Sequence, residues 1–167
     1  SYKNNNMEKK HWVMDYETLN NCFTGVFEHY KTKEIKIFVV HDLQNDFNEF
    51  IDFLKENCTN KEWHISYNGL AFDAQVTHYI LDKYLSWSNL SGCQIANKIY
   101  KYAQLTIEKS NRKEFSDYPQ WKMQIGQIDL YKMHHWDNPA KRSSLKWIQY
   151  SMDWQNILDM PIHHETL

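Results

Sequence analysis

The amino-acid sequence predicts an α/β fold: a mixed sheet in which three antiparallel strands lead into parallel ones, flanked by helices. Three observations carry this expectation. Three apolar, β-branched runs follow one another near the start of the chain, closely enough to be joined by tight turns. A segment with helical apolar period then separates the third run from a short fourth one, the kind of crossover that a parallel strand requires. Aromatic residues make up 16% of the 167 positions, against only four Gly and three Pro, which favours a packed fold over a linker or a disordered tail.

Taken in order, residues 11–16, 22–30 and 34–41 read as strands, with Phe23, Val26, Ile35, Ile37, Phe38 and Val39 as their signal. Such a meander places Asp15 on a central first strand. Residues 46–57 carry Phe47, Phe50, Ile51 and Leu54 at the i, i+3, i+4, i+7 spacing of an amphipathic helix. Residues 64–67 read as a short buried strand returning beside the first. Residues 72–84 are again helical, with Val76, Ile80 and Leu81 facing inward and Asp73 at the start. A further helix runs through Ile95, Ile99, Tyr102 and Leu105, followed by a polar loop containing Arg112, Lys113 and Asp117-Tyr118-Pro119. This region is expected to shape a substrate channel or simply to present a solvated face. Lys98, Lys101, Lys109, Arg112 and Lys113, interleaved with Tyr100 and Tyr102, suit single-stranded nucleic acid, although a solvated lysine face is the commoner use of such a pattern. Gln127-Ile128-Asp129-Leu130 closes another strand, with Asp129 read as structural or as supporting the ligand residues from behind, and Ser143 caps a helix bearing Leu145, Ile148 and Met152.

The chemistry-bearing residues are carboxylates. Successive side chains on a strand point to opposite faces, so Asp15 and Glu17 project from the same face and can share one cation, with Asp73 as a third oxygen ligand. Mg²⁺ takes carboxylate oxygens, keeps several waters and completes its shell with substrate phosphate. Two such ions about 3.5–4 Å apart can activate a water and neutralise a leaving oxygen. On its own, a D-x-E pair is ordinarily two solvated carboxylates on an exposed edge. Here it stands at the end of an apolar strand, and about 50 residues later a second short strand runs into Asn68-Gly69-Leu70-Ala71-Phe72-Asp73.

At these residues the chain resembles the DEDD superfamily of 3′-5′ exonucleases, with D-x-E as Asp15 and Glu17 and N-x3-F-D as Asn68, Phe72 and Asp73. The likeness is to the proofreading exonuclease domain of phage DNA polymerases, especially the protein-primed family B type. The resemblance implies a ribonuclease H-like fold and Mg²⁺ or Mn²⁺ held by Asp15, Glu17 and Asp73. It also implies single-stranded DNA 3′ ends as substrate, a polymerase domain as the partner in the full-length protein, and the cytoplasm of an infected bacterium as the location. By the same resemblance Thr18 helps hold the terminal nucleotide, Asn68 contacts single-stranded substrate, and Phe72 packs on a terminal sugar or base. Local alternatives exist for each: a hydroxyl satisfied nearby, an Asn that caps or turns, and a Phe buried on its helix.

The superfamily's last motif, Tyr-x3-Asp or His-x4-Asp, does not occur after Asp73. Residues 7–167 therefore read as an exonuclease domain lacking its last catalytic helix, with weak or no turnover expected, and residues 1–6 as a non-native or disordered N-terminus before Met7. A module that has lost catalysis but still binds nucleic acid or protein, and a free-standing nuclease, are the competing expectations.

Composition bounds these readings. No apolar run approaches the ~20 residues of a membrane span, and no signal peptide is recognisable. Cys22, Cys58 and Cys93 are odd in number and isolated, which argues against a disulfide framework or a zinc site. The paired His134-His135 and His163-His164 have no partner at zinc-ligand spacing. A formal net charge of -2 weighs against a large nucleic-acid footprint, since phosphate contacts supply much of such affinity. An enzyme that grips a few terminal nucleotides through cations needs little of that surface.

Overall fold

The computed structural model describes residues 11–67 and 69–130. The expectations placed on Asn68, on residues 1–6, on the helix from Ser143 and on His134, His135, His163 and His164 lie outside them. The elements run β1 (Trp12–Thr18), β2 (Phe23–His29), β3 (Ile35–Val40), α1 (Phe47–Asn60), β4 (His64–Ser66), α2 (Asp73–Lys83), α3 (Gly92–Asn111) and β5 (Gln127–Asp129), with 3₁₀ turns at Tyr84–Trp87 and Gln120–Lys122. The strands form one mixed sheet in the order β3-β2-β1-β4-β5. β1–β2 and β2–β3 pair antiparallel, while β1–β4 and β4–β5 pair parallel. The expected meander and its parallel extension are both present, with β1 at the centre.

Alternation along β1 decides what the sheet presents. Trp12, Met14 and Tyr16 are buried in the main core, whereas Val13, Asp15 and Glu17, on the opposite face, are only partly covered. The core is an aromatic cluster built across β1, β2, β3 and α1. Phe27 and Phe53 meet edge-to-face with centroids 4.8 Å apart, and Phe50 reaches the rings of Phe23 at 5.5 Å and Phe38 at 5.2 Å. The predicted inward residues of α1 are all buried. Its C-terminus is closed by Lys61 in the left-handed region (φ 54°), whose N–H reaches the Asn57 and Cys58 carbonyls.

On α2, Val76 and Ile80 are buried as expected, and Leu81 packs on the core while partly exposed. α3 begins earlier than its apolar pattern indicated, at a capping box in which the Ser91 hydroxyl accepts from Gln94 N–H and the Gln94 side chain accepts from Ser91 N–H. Its inward face is Ile95, Ala96, Ile99, Ala103 and Thr106. Leu105 lies on the helix as expected but is 54% exposed. At about 100° per residue, eleven residues from Ile95 restore its face within about 20°, whereas ten leave Leu105 about 80° away. Small Ala103 allows α3 to approach closely, and Tyr102 stacks on Tyr79 of α2 with centroids 3.9 Å apart. All three cysteines are free thiols, and no described helix is long and apolar enough to cross a membrane.

Candidate active site

In open α/β sheets, ligands bind outside the carboxyl ends of parallel strands. β1, β4 and β5 run parallel and bring three acids towards that end: Asp15 on β1, Asp73 on the helix entered after β4, and Asp129 as the last residue of β5. The chain passes from β4 to α2 through a turn so close to the strand that a Cβ on Gly69 would fall 1.6 Å from Ser66 Oγ, which only glycine can accommodate. Ala74 N–H then donates to Gly69 C=O at 2.7 Å, starting the helix with Asp73 in its first turn.

Asp15 and Asp73 line one cleft of about 350 Å³. Its other walls are Tyr67 and Phe72 on one side and Ile107, Ser110 and Asn111 from the end of α3 on the other. Phe72 both lines the cleft and packs against the core. Glu17 shares the Asp15 face of β1 but does not line the cleft, and neither does Thr18, which ends the strand opposite Phe23. Among the described residues, no group of three or more His, Cys, Asp or Glu side chains is arranged to hold a metal ion. The described residues thus supply two converging carboxylates with Glu17 alongside.

The electrostatics of that pair are unusual for simple structural acids. Burial pushes the Asp15 carboxyl up to about 6, and the neighbouring Glu17 charge adds to it, against a hydrogen bond from the Tyr16 backbone. Asp73 is 4% exposed and is held well above the usual carboxylate range, first by burial, then by the charge of Asp15, with Asp129 contributing. Asp73 Oδ1 is buried with no hydrogen-bond partner. A buried carboxylate oxygen without a donor is costly unless a proton or a cation meets it. Its position beside a second acid fits a hard divalent cation, for which carboxylate oxygens are the preferred donors.

The pair is held by Asp129, already read as structural, and by groups that the sequence does not single out. Asp129 Oδ2 accepts from Leu70 N–H at 3.2 Å, while Gln75 Nε2 donates to Leu70 C=O at 3.0 Å, so both sides of the turn before Asp73 are fixed. Tyr16 supports the opening of α2 through a 2.7 Å hydrogen bond between its hydroxyl and Thr77 Oγ1. Asp129 carries one legible signal: it closes the short strand Gln127–Asp129. Gln75, Tyr67 and Ile107 carry none, because their roles depend on contacts remote in sequence.

No family model, curated protein or solved structure matches the chain.

Proposed function

We propose that this chain is a ribonuclease H-like 3′-5′ exonuclease domain, the proofreading part of a phage-type DNA polymerase acting on single-stranded DNA ends in the cytoplasm of an infected bacterium. The observation that carries the reading is the pairing of Asp15 and Asp73 across one cleft, with a buried Asp73 oxygen lacking any donor. The sheet order β3-β2-β1-β4-β5, with the acids at the carboxyl ends of parallel strands, is compatible with that architecture.

In this reading Asp15 and Asp73, with Glu17 beside them, hold Mg²⁺ or Mn²⁺. When bound, such ions lower the pKa of a coordinated water and stabilise charge on a phosphodiester in displacement. The chain's own residues do the rest. Tyr67, Phe72 and Ile107 offer flat or apolar surface to a terminal base and sugar, a sequence-tolerant grip because every base has a π-face. Ser110 and Asn111 supply hydrogen-bonding groups at the rim. Thr18 and Asn68 keep the nucleotide-contact roles that the motif resemblance implies. Asp129 and Gln75 hold the turn that presents Asp73, so displacing either changes where that carboxylate sits.

A second reading is a binding scaffold without turnover. It is favoured by the absence, among the described residues, of a third ligand converging on the pair. The two separate in one assay: release of 3′-labelled nucleotides from single-stranded DNA with Mn²⁺, using wild type and Asp15→Ala. The nuclease reading expects release from the 3′ end by the wild type and loss of at least about a hundredfold in the variant, since the carboxylate acts on transition-state charge. An inert wild type that still binds DNA favours the scaffold.

A further inference from the structure

β3 lies at an edge of the sheet, and half of that edge is open. Antiparallel partners alternate between pairs that exchange two hydrogen bonds and pairs that exchange none. His29 N–H donates to Glu34 C=O at 2.8 Å, so Phe27–Lys36 and Gly25–Phe38 continue as the bonded pairs of β2 and β3. Ile35, Ile37 and Val39 therefore turn their backbone N–H and C=O groups outward, away from β2. Val39 is closed off there: its N–H donates to Asp46 Oδ2 at 3.0 Å, and Asp46 N–H donates back to its C=O at 2.7 Å. Gln44 Nε2 holds the same carboxylate oxygen at 2.9 Å. No described residue closes the outward groups of Ile35 or Ile37 in this way. The strand is also uncovered in that half, since Ile35, Lys36 and Ile37 are partly exposed whereas Phe38, Val39 and Val40 are buried.

An open edge is a template for another strand, and the charges along it decide which one. Lys36 stands between the two isoleucines on the opposite face, its ammonium 5.9 Å from the Trp12 ring centroid and 5.6 Å from that of Phe53. Glu34, on the same face, is 3.8 Å from that ammonium, but both side chains are exposed and such a pair adds little in water. A second copy of this chain fits poorly. Pairing Ile35 with Ile37 of another copy sets the two Lys36 side chains directly opposite, which is destabilising. Pairing Ile37 with Ile37 brings Ile35 against Val39, whose outward groups Asp46 already holds. Pairing Ile35 with Ile35 calls on Lys33, which turns away at φ 64° with its N–H bonded to His29 C=O. Lys36 thus acts against self-pairing and in favour of a strand with an acid at that position.

We propose that the open half of β3 binds an extended segment of a partner protein, added antiparallel to the sheet, with apolar residues opposite Ile37 and Ile35, a carboxylate between them opposite Lys36, and a cation opposite Glu34. Both isoleucines then sit in bonded pairs, main-chain bonds hold the segment, and the alternate side chains choose it. The segment reads, in its own direction, apolar, acidic, apolar, basic. β2 separates this edge from β1 and Asp15, so the inference stands apart from the nuclease reading.

The experiment is amide hydrogen exchange by nuclear magnetic resonance with blocked peptides of about six residues, an ordinary strand length. One peptide is Thr-Val-Glu-Val-Lys-Thr, and the other carries Lys in place of Glu. In dilute protein the Ile35 and Ile37 amides should exchange faster than that of Val39, which Asp46 holds. The Glu peptide should protect both amides and bind roughly three- to tenfold more tightly than the Lys peptide, the difference between an opposite and a like charge across a strand pair. Lys36→Glu should reverse that preference. Ile37→Pro removes an outward donor that β2 does not use, so it should weaken the Glu peptide by about tenfold. If the proline variant fails to fold, the charge reversal carries the test. Equal binding of the two peptides, or no protection by either, would overturn the inference. So would protection of Ile35 and Ile37 that rises with protein concentration in the absence of peptide, since a second copy would then occupy the edge.

Discussion

Asp15 and Asp73 work against the stability of the fold that holds them. The Asp15 carboxyl moves from an ordinary value of 3.8 up to about 6 because burial penalises its charged form, and Asp73 moves the same way. Below about pH 3.8 folded and unfolded chains are both protonated at Asp15, and the group is neutral in its effect. Between about 3.8 and 6 the folded chain retains a proton that the unfolded chain has released, so stability falls as pH rises through that window and stays lowered above it. Asp15→Asn and Asp73→Asn are accordingly expected to raise the Tm at about pH 8 by roughly 2–5 °C, a difference that shrinks towards pH 3.5 in thermal melts followed by circular dichroism. Two acids raised by burial in one cleft make a candidate functional site. The two acids were legible in the sequence because each stands at the junction of an apolar run and a polar one. Gln75 was not, since a Gln inside a helix has ordinary local uses, and only the fold brings it to the turn whose other side is held by Asp129, which the sequence had marked as structural.

At the level of elements, a buried polar chain fixes α1 against the sheet on the side away from the acids. His64 Nε2 meets Asn57 Oδ1 at 2.6 Å, Asn57 Nδ2 donates to Glu62 Oε2 at 2.7 Å, and Trp12 Nε1 donates to the same oxygen at 3.1 Å. Burial drives the His64 imidazole down to about 3, so it stays neutral and can donate from Nε2. Asn57→Ala leaves both His64 and Glu62 short of a partner and should cost about 2–4 kcal/mol in urea denaturation, more than an exposed substitution on α1 such as Glu56→Ala. The element pattern itself was readable: β-branched runs became β1, β2 and β3, and a 3.6-residue period became α1. The helix through Ile95, Ile99, Tyr102 and Leu105 is α3, but which side of it faces inward was not legible, since Ala103 and Thr106 are buried and Tyr102 stacks on Tyr79 while Leu105 is exposed. The Ser91–Gln94 capping box is a sequence signature that marks the true start of the helix.

Over the whole molecule, one aromatic core sets the platform and the sheet order sets the site. Phe50 is fully buried among the rings of Tyr16, Phe23, Phe27 and Phe38, so Phe50→Ala should cost about 3–5 kcal/mol, read as a lower urea midpoint, while leaving the sequence of the acidic site untouched. The order β3-β2-β1-β4-β5 places β1 centrally, and the parallel step from β1 to β4 puts the start of α2 across from Asp15. That arrangement followed from the sequence because a meander followed by a helical crossover has few alternatives. The proposed cation site at Asp15 and Asp73 is open to titration of Mn²⁺ into the protein under electron paramagnetic resonance at about pH 7.5 and pH 5. Wild type should bind Mn²⁺ saturably, more weakly at the lower pH as protons compete for Asp15, and Asp73→Asn should lose the binding. Binding that is indifferent to pH and unchanged in Asp73→Asn and Asp15→Asn would contradict it.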